Sequence, residues 1–411
     1  MASESAAPAT TFSVDEAKTY LELLRGHATE IETELVDVSH RIHEHPEVRF
    51  QENFASQLLT EKLQEHGFAV ENGAGDLPTA FLGKYTNAEH TEGAPTIAIF
   101  CEYDALEGIG HGCGHNIIAS SGLGAAIIVK RWLEANPDVP GNLLVVGSPG
   151  EEGGGGKVFL IEAGCLEGVD AAMMIHPGGN NNARRTGLAR MLLEIEFTGK
   201  AAHAAGSPHL GVNALDAVNL TMVAIGLLRQ QVRDDSRIHA IVADGGQAVN
   251  IIPEHAAIRA YARSPQSDYL NERLLPAVEN CAKGAALATG TTVDIKYPLP
   301  AYQEMRSNDT LVALSEANLA ALGRQCEYED NTHSGSTDMG NVSHVVPSIH
   351  PHIELRPELT MHSRESAAAA ASPEGDKAVI DGALELAMTA VELYAQPDLL
   401  KAVTVAFKEG R

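Results

Sequence analysis

Apolar side chains in residues 14–42 recur at alternating steps of three and four: Val14, Ala17, Leu21, Leu24, Ala28, Ile31, Leu35, Val38 and Ile42. That spacing sets them on one face of an α-helix, with Gly26 as a point of interruption. After "HPE" the texture changes to short, wholly apolar runs: "TIAIFCEY" (96–103), "NLLVVGS" (142–148) and "AAMMIH" (171–176). Between them lie the apolar helix "NIIASSGLGAAIIVKRWLEA" (116–135) and the shorter "KVFLIEAG" (157–164). Apolar strands joined by helices predict an α/β fold, a mainly parallel sheet covered by helices on both faces.

Near Gly187 the pattern shifts again. "ARMLLEIEFTG" (189–199) alternates as a half-exposed strand does. A helix (211–232), two strands (238–243 and 255–263), a helix (268–288) and the strand "TTVDIKY" (291–297) follow. This order predicts a separate α+β open-faced sandwich. Helix–strand alternation returns with a helix at 308–322, a strand at 347–355 and a helix at 375–394. The expected organisation is one α/β domain in two parts, 1–186 and 301–411, split by an inserted domain at 187–300.

Composition narrows the class. A chain of 411 residues, 44% hydrophobic, suggests two or three domains with ample cores. It has no apolar run of the ~18 residues a membrane span needs. Its first residues, "MASESAAPATTF", lack the basic start and apolar core of a signal peptide. Five cysteines without a CxxC argue against a disulfide framework and for a reduced, cytoplasmic setting. The net charge of −26 disfavours nucleic acid and anionic membranes as partners.

The residues able to do chemistry cluster at the predicted strand ends, where open α/β sheets place their sites. "CEYDAL" and "GHGCGHN" follow the first strand, "GSPGEEGGGG" the second and "HPGG" the third. Cys113 and His115 can grip one ion if the backbone between them is tight, which Gly114 permits. The adjacent carboxylates of Glu151 and Glu152 at a strand end are costly without a cation. In extended geometry they point opposite ways, one able to ligate a metal and the other to act as general base. His176 is a further candidate ligand. A phosphate loop needs the order GxxxxGK[ST], which neither glycine-rich stretch has. A nucleophilic Cys113 with His115 or His111 as base stays open, though it leaves the paired glutamates and His176 unexplained.

The collinear order HPEVRFQE, CEYDAL, GHGCGHN, GSPGEEGGGG, MMIHPGG, GKAAHAA, VNIIPEHA, GSTDMGNVS resembles the two-metal aminoacylase and glutamate-carboxypeptidase family. Within it the chain is similar to the amidohydrolase branch of p-aminobenzoyl-glutamate hydrolases, auxin-conjugate hydrolases and β-alanyl-lysine dipeptidase-like proteins. The match runs from about residue 40 to 365. It implies Cys113, His115, Glu152, His176 and His362 as metal ligands, Glu151 as general base and Asp104 as the aspartate that orients the site. Glu102 stands where many members have a ligating His or an Asp, and Asn116 where an Asp is common. His111 matches no ligand. In the inserted lid and dimerisation domain, His203 matches a residue that reaches across a homodimer to the partner's active site. Asn250 and Arg263, with Arg259 as competitor, match groups that hold the substrate, and the Gly335–Ser336 turn in "SGSTD" is expected to form a pocket wall.

The resemblance thus implies metal-assisted hydrolysis of an amide in a small N-acyl amino acid, dipeptide or related conjugate. One or two divalent ions, zinc or manganese, serve each subunit. Hydrolytic deamination of a small aromatic amine at the same site is the alternative, and a non-catalytic binding protein of the same fold is the alternative of another class.

Overall fold

Helix α1 (Val14–Glu44) begins under a capping box in which the Ser13 hydroxyl accepts from the Glu16 N–H and Glu16 reaches back. The expected break at Gly26 does not occur, because the face carrying Leu21, Leu24, Ala28 and Ile31 stays continuously buried. The computed structural model describes residues 12–87, 93–327 and 335–410. There follow α2 (Asn53–Glu65), β1 (Ala69–Asn72), β2 (Phe81–Asn87), β3 (Thr96–Cys101), α3 (His115–Ala135), β4 (Gly141–Gly147), α4 (Gly156–Glu162), β5 (Ala171–Met173) and β6 (His176–Gly178). Next come β7 (Ala189–Thr198), α5 (Ala214–Leu228), β8 (Arg237–Asp244), β9 (His255–Ser264), α6 (Leu275–Thr289) and β10 (Thr292–Lys296). The chain closes with α7 (Asp309–Ala321), β11 (Ser348–Ile349), β12 (His352–Glu354), α8 (Pro373–Ala395) and α9 (Pro397–Lys408).

Two compact units result. The first comprises Met1–Thr186, Met305–Asn331 and Asn341–Arg411; the second comprises Gly187–Glu304 and Thr332–Gly340. Among the described residues, 187–304 and 335–340 make up the second unit.

In the first unit the sheet order is β1-β2-β4-β3-β5-β11. The pairings among β4, β3, β5 and β11 are parallel, and β2 and β1 add an antiparallel edge. The expected strand at 171–176 divides, since β5 ends at Met173 and His176 opens β6, which pairs in parallel with β12 as a separate two-stranded sheet. The expected strand at 347–355 divides likewise into β11 and β12. Helix α3 is apolar nearly all round because α1 and α8 both pack against it.

The second unit is a four-stranded antiparallel sheet, β10-β7-β9-β8, with α5 and α6 packed together on it. Its own core joins Leu193, Ile195 and Phe197 of β7 to Val218, Ile225 and Val278 of the helices.

Candidate metal centre

The parallel strands of the first unit end in the residues able to bind a cation. β3 runs into Glu102 and Asp104, β4 into a turn holding Glu151 and Glu152, and β5 is followed by His176. Cys113 lies one residue before Gly114, whose φ of 72° starts α3 at His115. A Cβ on Gly114 would sit 2.5 Å from Pro177 Cγ, so glycine is what lets this loop close onto the strand bearing His176. His362 enters from the second half of the chain. Its own φ is 63°, a left-handed conformation uncommon for a side-chain-bearing residue, and its N–H donates to the Gly112 carbonyl at 2.9 Å.

The donor atoms converge. Cys113 Sγ is 3.2 Å from His362 Nε2 and 3.5 Å from His176 Nε2. His115 Nε2 is 3.3 Å from Glu102 Oε1 and 3.8 Å from Glu152 Oε1, and His362 Nε2 is 3.4 Å from Glu152 Oε1. Bonds of about 2.0 Å to nitrogen and 2.3 Å to sulfur give tetrahedral edges of about 3.3–3.8 Å, the same range. Among the described residues three groups could hold an ion: Cys113, His115 and His176; Cys113, Glu152 and His362; Glu102, His115 and Glu151. Glu102 Oε1, His115 Nε2 and Glu152 Oε1 are buried with no hydrogen-bond partner. Lone pairs gathered in this way away from water are costly unless a cation lies among them. The residues fit a divalent metal.

The imidazoles are oriented for that task. His115 Nδ1 is 3.0 Å from Asp104 Oδ1, and His176 Nδ1 is 2.6 Å from the Pro177 carbonyl. A carboxylate and a carbonyl only accept, so each Nδ1 carries the proton and each Nε2 offers its lone pair to the donor cluster. Asp104 Oδ2 also accepts the Glu152 N–H at 2.8 Å. Burial opposes a charged His115, but Glu102, Asp104 and Cys113 overcome it and raise its pKa well above the ordinary value. Burial raises Glu152, and burial followed by the Glu152 charge pushes the Cys113 thiol up. Both shifts disfavour the ionised forms that a bound cation would favour.

Two supports were not singled out by sequence reasoning. Lys157 donates to Glu102 Oε2 at 2.6 Å, both side chains fully buried. Glu52 accepts from the Gly150 N–H at 2.9 Å and from Thr79 Oγ1 at 2.9 Å, so it fixes the backbone just before Glu151. Burial, then the Asp104 charge, lifts the Glu52 pKa to about 7. Glu52 closes the stretch HPEVRFQE just before α2, and Lys157 lies in the first turn of α4 after the glycine-rich run; neither stretch marks them as supports in one dimension.

Glu151 and Glu152 fall in different donor groups, and the segment that holds them is a turn, not the expected extended stretch. Asn116 is turned away from the donors, giving its Nδ2 to Ser39 Oγ and the Ala370 carbonyl. His111 belongs to none of the groups and lies buried 6.1 Å from the His43 ring.

The second unit holds the remaining candidates. His203 Nδ1 accepts the N–H groups of Ala205 and Gly206 at 3.2 and 3.0 Å, which leaves Nε2 as the protonated, donating nitrogen. Asn250 is its neighbour, its carbonyl accepting the Ala204 N–H at 3.0 Å. Arg263 donates to Ser336 Oγ at 3.3 Å, keeps a buried Nε without a partner, and the Gly335 carbonyl accepts the Leu188 N–H. Arg259 is spent on an exposed ion pair with Glu194 at 2.9 Å.

A thiolate, imidazole and carboxylate cage at the carboxyl ends of parallel strands, beside a second glutamate, defines a metal-dependent hydrolase of peptide and amide bonds. The chain belongs to peptidase family M20/M25/M40, whose profile matches residues 91–381. It is 39% identical over 403 residues to the Xaa-Arg dipeptidase of Mus musculus, covering 94% of this chain and 93% of that protein. It is 37% identical over 282 residues to a p-aminobenzoyl-glutamate hydrolase subunit of Escherichia coli, covering 64% of this chain and 57% of that one. Its fold is that of a dinuclear metal binding peptidase of the M20 family from Bacillus subtilis, with a TM-score of 0.63 at 21% identity over 89% of this chain and 99% of that chain. Among the described residues no helix is long and apolar enough to cross a membrane.

Proposed function

We propose that this protein hydrolyses the amide bond of a small N-acyl amino acid or dipeptide, with Glu151 as general base. The observation that carries the reading is the division of the two adjacent glutamates. Glu152 lies with Cys113 and His362, whereas Glu151 lies on the Glu102–His115 side. Cys113, His115, Glu152, His176 and His362 are the proposed ligands. Bound there, a divalent ion supplies Lewis acidity to the carbonyl and lowers the pKa of water. The thiolate and imidazoles suit zinc, the carboxylates also accommodate manganese, and the sharing of Cys113 by two donor groups supports two ions.

Glu151 accepts a proton from the attacking water and returns it to the nitrogen of the departing amine. Asp104 keeps His115 in its Nδ1-protonated form throughout. His203, with Nε2 as donor, is the group proposed to receive the charge that develops on the carbonyl oxygen. Arg263 is the proposed anchor for the substrate's carboxylate, with Asn250, Gly335 and Ser336 beside the same task. A cavity of about 600 Å³ adjoins Glu152, lined by Val48, Leu106, Ile109, Arg49 and Glu107 among others, a size that supports a small substrate. The name of the mouse relative, Xaa-Arg dipeptidase, supports a dipeptide.

The active unit is proposed to be a homodimer formed through the second unit. Leu220, Val223 and Leu227 are 43%, 61% and 71% exposed along one side of α5, and Ile241 and Val242 are exposed on β8, an edge strand. An apolar stripe beside an open strand edge calls for a partner. The five cysteines are unpaired, which supports a reducing, cytoplasmic compartment.

Glu151→Gln tests the central assignment. It is expected to lower kcat by about 10²–10⁴-fold on a dipeptide or N-acyl amino acid while zinc content stays at the wild-type level. Loss of bound zinc in that variant would make Glu151 a ligand instead. Amidating the substrate's carboxylate should cut kcat/KM, and Arg263→Ala should erase the difference between acid and amide. Equal turnover of both by the wild-type enzyme would remove the anchor.

A further inference from the structure

His176 is backed by two more histidines. Its ring centroid lies 5.4 Å from those of both His350 and His352, with His350 edge-on at 85°. His352 is its register partner across β6 and β12. His350 is fixed from both ends. Its Nδ1 lies 2.9 Å from the Met174 carbonyl, so Nδ1 carries the proton and Nε2 must accept. What it accepts from is Arg185 Nη1.

Arg185 is the unusual member of this chain of contacts. Among the described residues no carboxylate lies within ion-pair distance of it, while its neighbour Arg184 is paired with Asp309 at 2.7 Å. A half-buried guanidinium with only a neutral imidazole for a side-chain partner is costly to keep. Burial pulls its pKa down, and the negative charges of Glu151, Cys113, Glu102 and Glu152 oppose that shift. The His350 imidazole, and no carboxylate, is thus the side chain that the Arg185 guanidinium meets among the described residues.

We propose that Arg185 is a positioning residue of the metal centre: by donating to His350 Nε2 it locks the ring against which His176 packs, and so keeps His176 Nε2 aimed at the Cys113 side of the donor set. A guanidinium can only donate, so His350 cannot exchange its two nitrogens without losing either the Met174 carbonyl or Arg185. His176 itself has only a backbone carbonyl at Nδ1, which fixes its tautomer; the lateral restraint comes from the flanking rings of His350 and His352, of which Arg185 holds the first. The inference rests on the proposed reading of His176 as a ligand.

The test is zinc affinity of the full-length enzyme, measured by competition with a chromogenic chelator, with thermal unfolding as a check on folding. Arg185→Met is expected to weaken zinc binding by about 10–100-fold, the usual cost of losing an outer support of a metal ligand. Arg185→Lys, which retains one donor, should recover most of it. His350→Phe should match Arg185→Met, and the double variant should lose no more than either alone. In zinc-saturated enzyme kcat should stay within a few-fold of wild type. Wild-type zinc affinity in Arg185→Met with a depressed kcat would overturn the proposal and move the guanidinium to the substrate. Additive losses in the double variant would overturn it as well. Should Arg185→Met not fold, His350→Phe and Arg185→Lys carry the same comparison. The ligand reading is tested separately by Cys113→Ser and His176→Ala: unchanged zinc affinity in both would defeat that reading whatever Arg185 does.

Discussion

The Asp104 carboxylate and the His115 imidazole meet at 3.0 Å with neither side chain exposed, and the second oxygen of the same carboxylate takes the Glu152 N–H at 2.8 Å. One buried anion thus sets the tautomer of a nitrogen donor and the backbone of a carboxylate donor together. Burial works against its ionisation, yet His115 and the N–H of Glu152 hold its pKa below the ordinary value.

Asp104→Asn leaves the shape intact but can present an amide N–H to His115 Nδ1. The ring can then be driven to the wrong tautomer, with its proton pointing at the donors. Zinc affinity should fall by about 10–100-fold, and kcat measured at sub-saturating zinc should fall with it. Wild-type affinity by chelator competition would show that Asp104 does not govern His115.

Cys113 is buried and lies between two imidazoles at 3.2 and 3.5 Å. As a metal ligand its thiolate should resist iodoacetamide in the metal-loaded enzyme and react once a chelator is added. Mass mapping of the alkylated cysteines reads this directly. Rapid labelling of Cys113 with metal in place would return it to the role of a nucleophile.

The proposed dimer makes a prediction that neither subunit can fulfil alone. Mixed subunits of inactive His203→Ala and inactive Glu151→Gln should regain a fraction of wild-type activity, since a hybrid dimer contains one composite site with both residues. Subunit exchange is followed by native mass spectrometry. Exchange without recovery would place His203 outside the partner's site.

Outside the donor groups, Glu385 of α8 is buried and, among the described residues, has the Ser315 and Thr389 hydroxyls as its hydrogen-bond partners, at 2.5 and 3.4 Å. Burial lifts its pKa from 4.5 to about 7. The folded state therefore keeps its proton at pH values where the unfolded chain has lost it. The stability this gives is complete below about pH 4.5 and is lost progressively as pH rises toward 7, on the order of 3 kcal/mol for this shift. Glu385→Gln should flatten that decline and raise Tm at pH 8 by several degrees, with little change at pH 4.5. Parallel Tm–pH curves for the two proteins would show that Glu385 does not titrate in this range.

The parallel strands were legible because each is a continuous apolar run with glycine and charge at its end, and that also marked Cys113, His115, Glu151, Glu152 and His176. Helix α2 and the pair β1 and β2 escape such reading. β1 is mostly exposed, and the buried face of α2 mixes Ser56 and Thr60 with Ala55, Leu58, Leu59 and Leu63, which blurs its apolar spacing. His362 sits in "ELTMHSRESA", which has no periodicity and no neighbouring ligand, so only the family resemblance points to it. Arg185 and His350 carry no signal at all in one dimension. Their roles exist only through β12 lying against β6 and the contact of His350 with His176.

The contact between Gly112 and His362 spans 250 positions of the chain and passes over the whole inserted unit. During synthesis Cys113, His115, Glu152 and His176 emerge long before His362 does. A nascent chain can gather a partial set of donors, but the left-handed residue that completes the cage arrives only after the second unit has been made. At ribosomal rates of about 5–20 residues per second, the interval between the last early donor and His362 is on the order of ten to forty seconds. With the ligand set proposed above, tight metal capture would report that the two halves of the α/β part have come together.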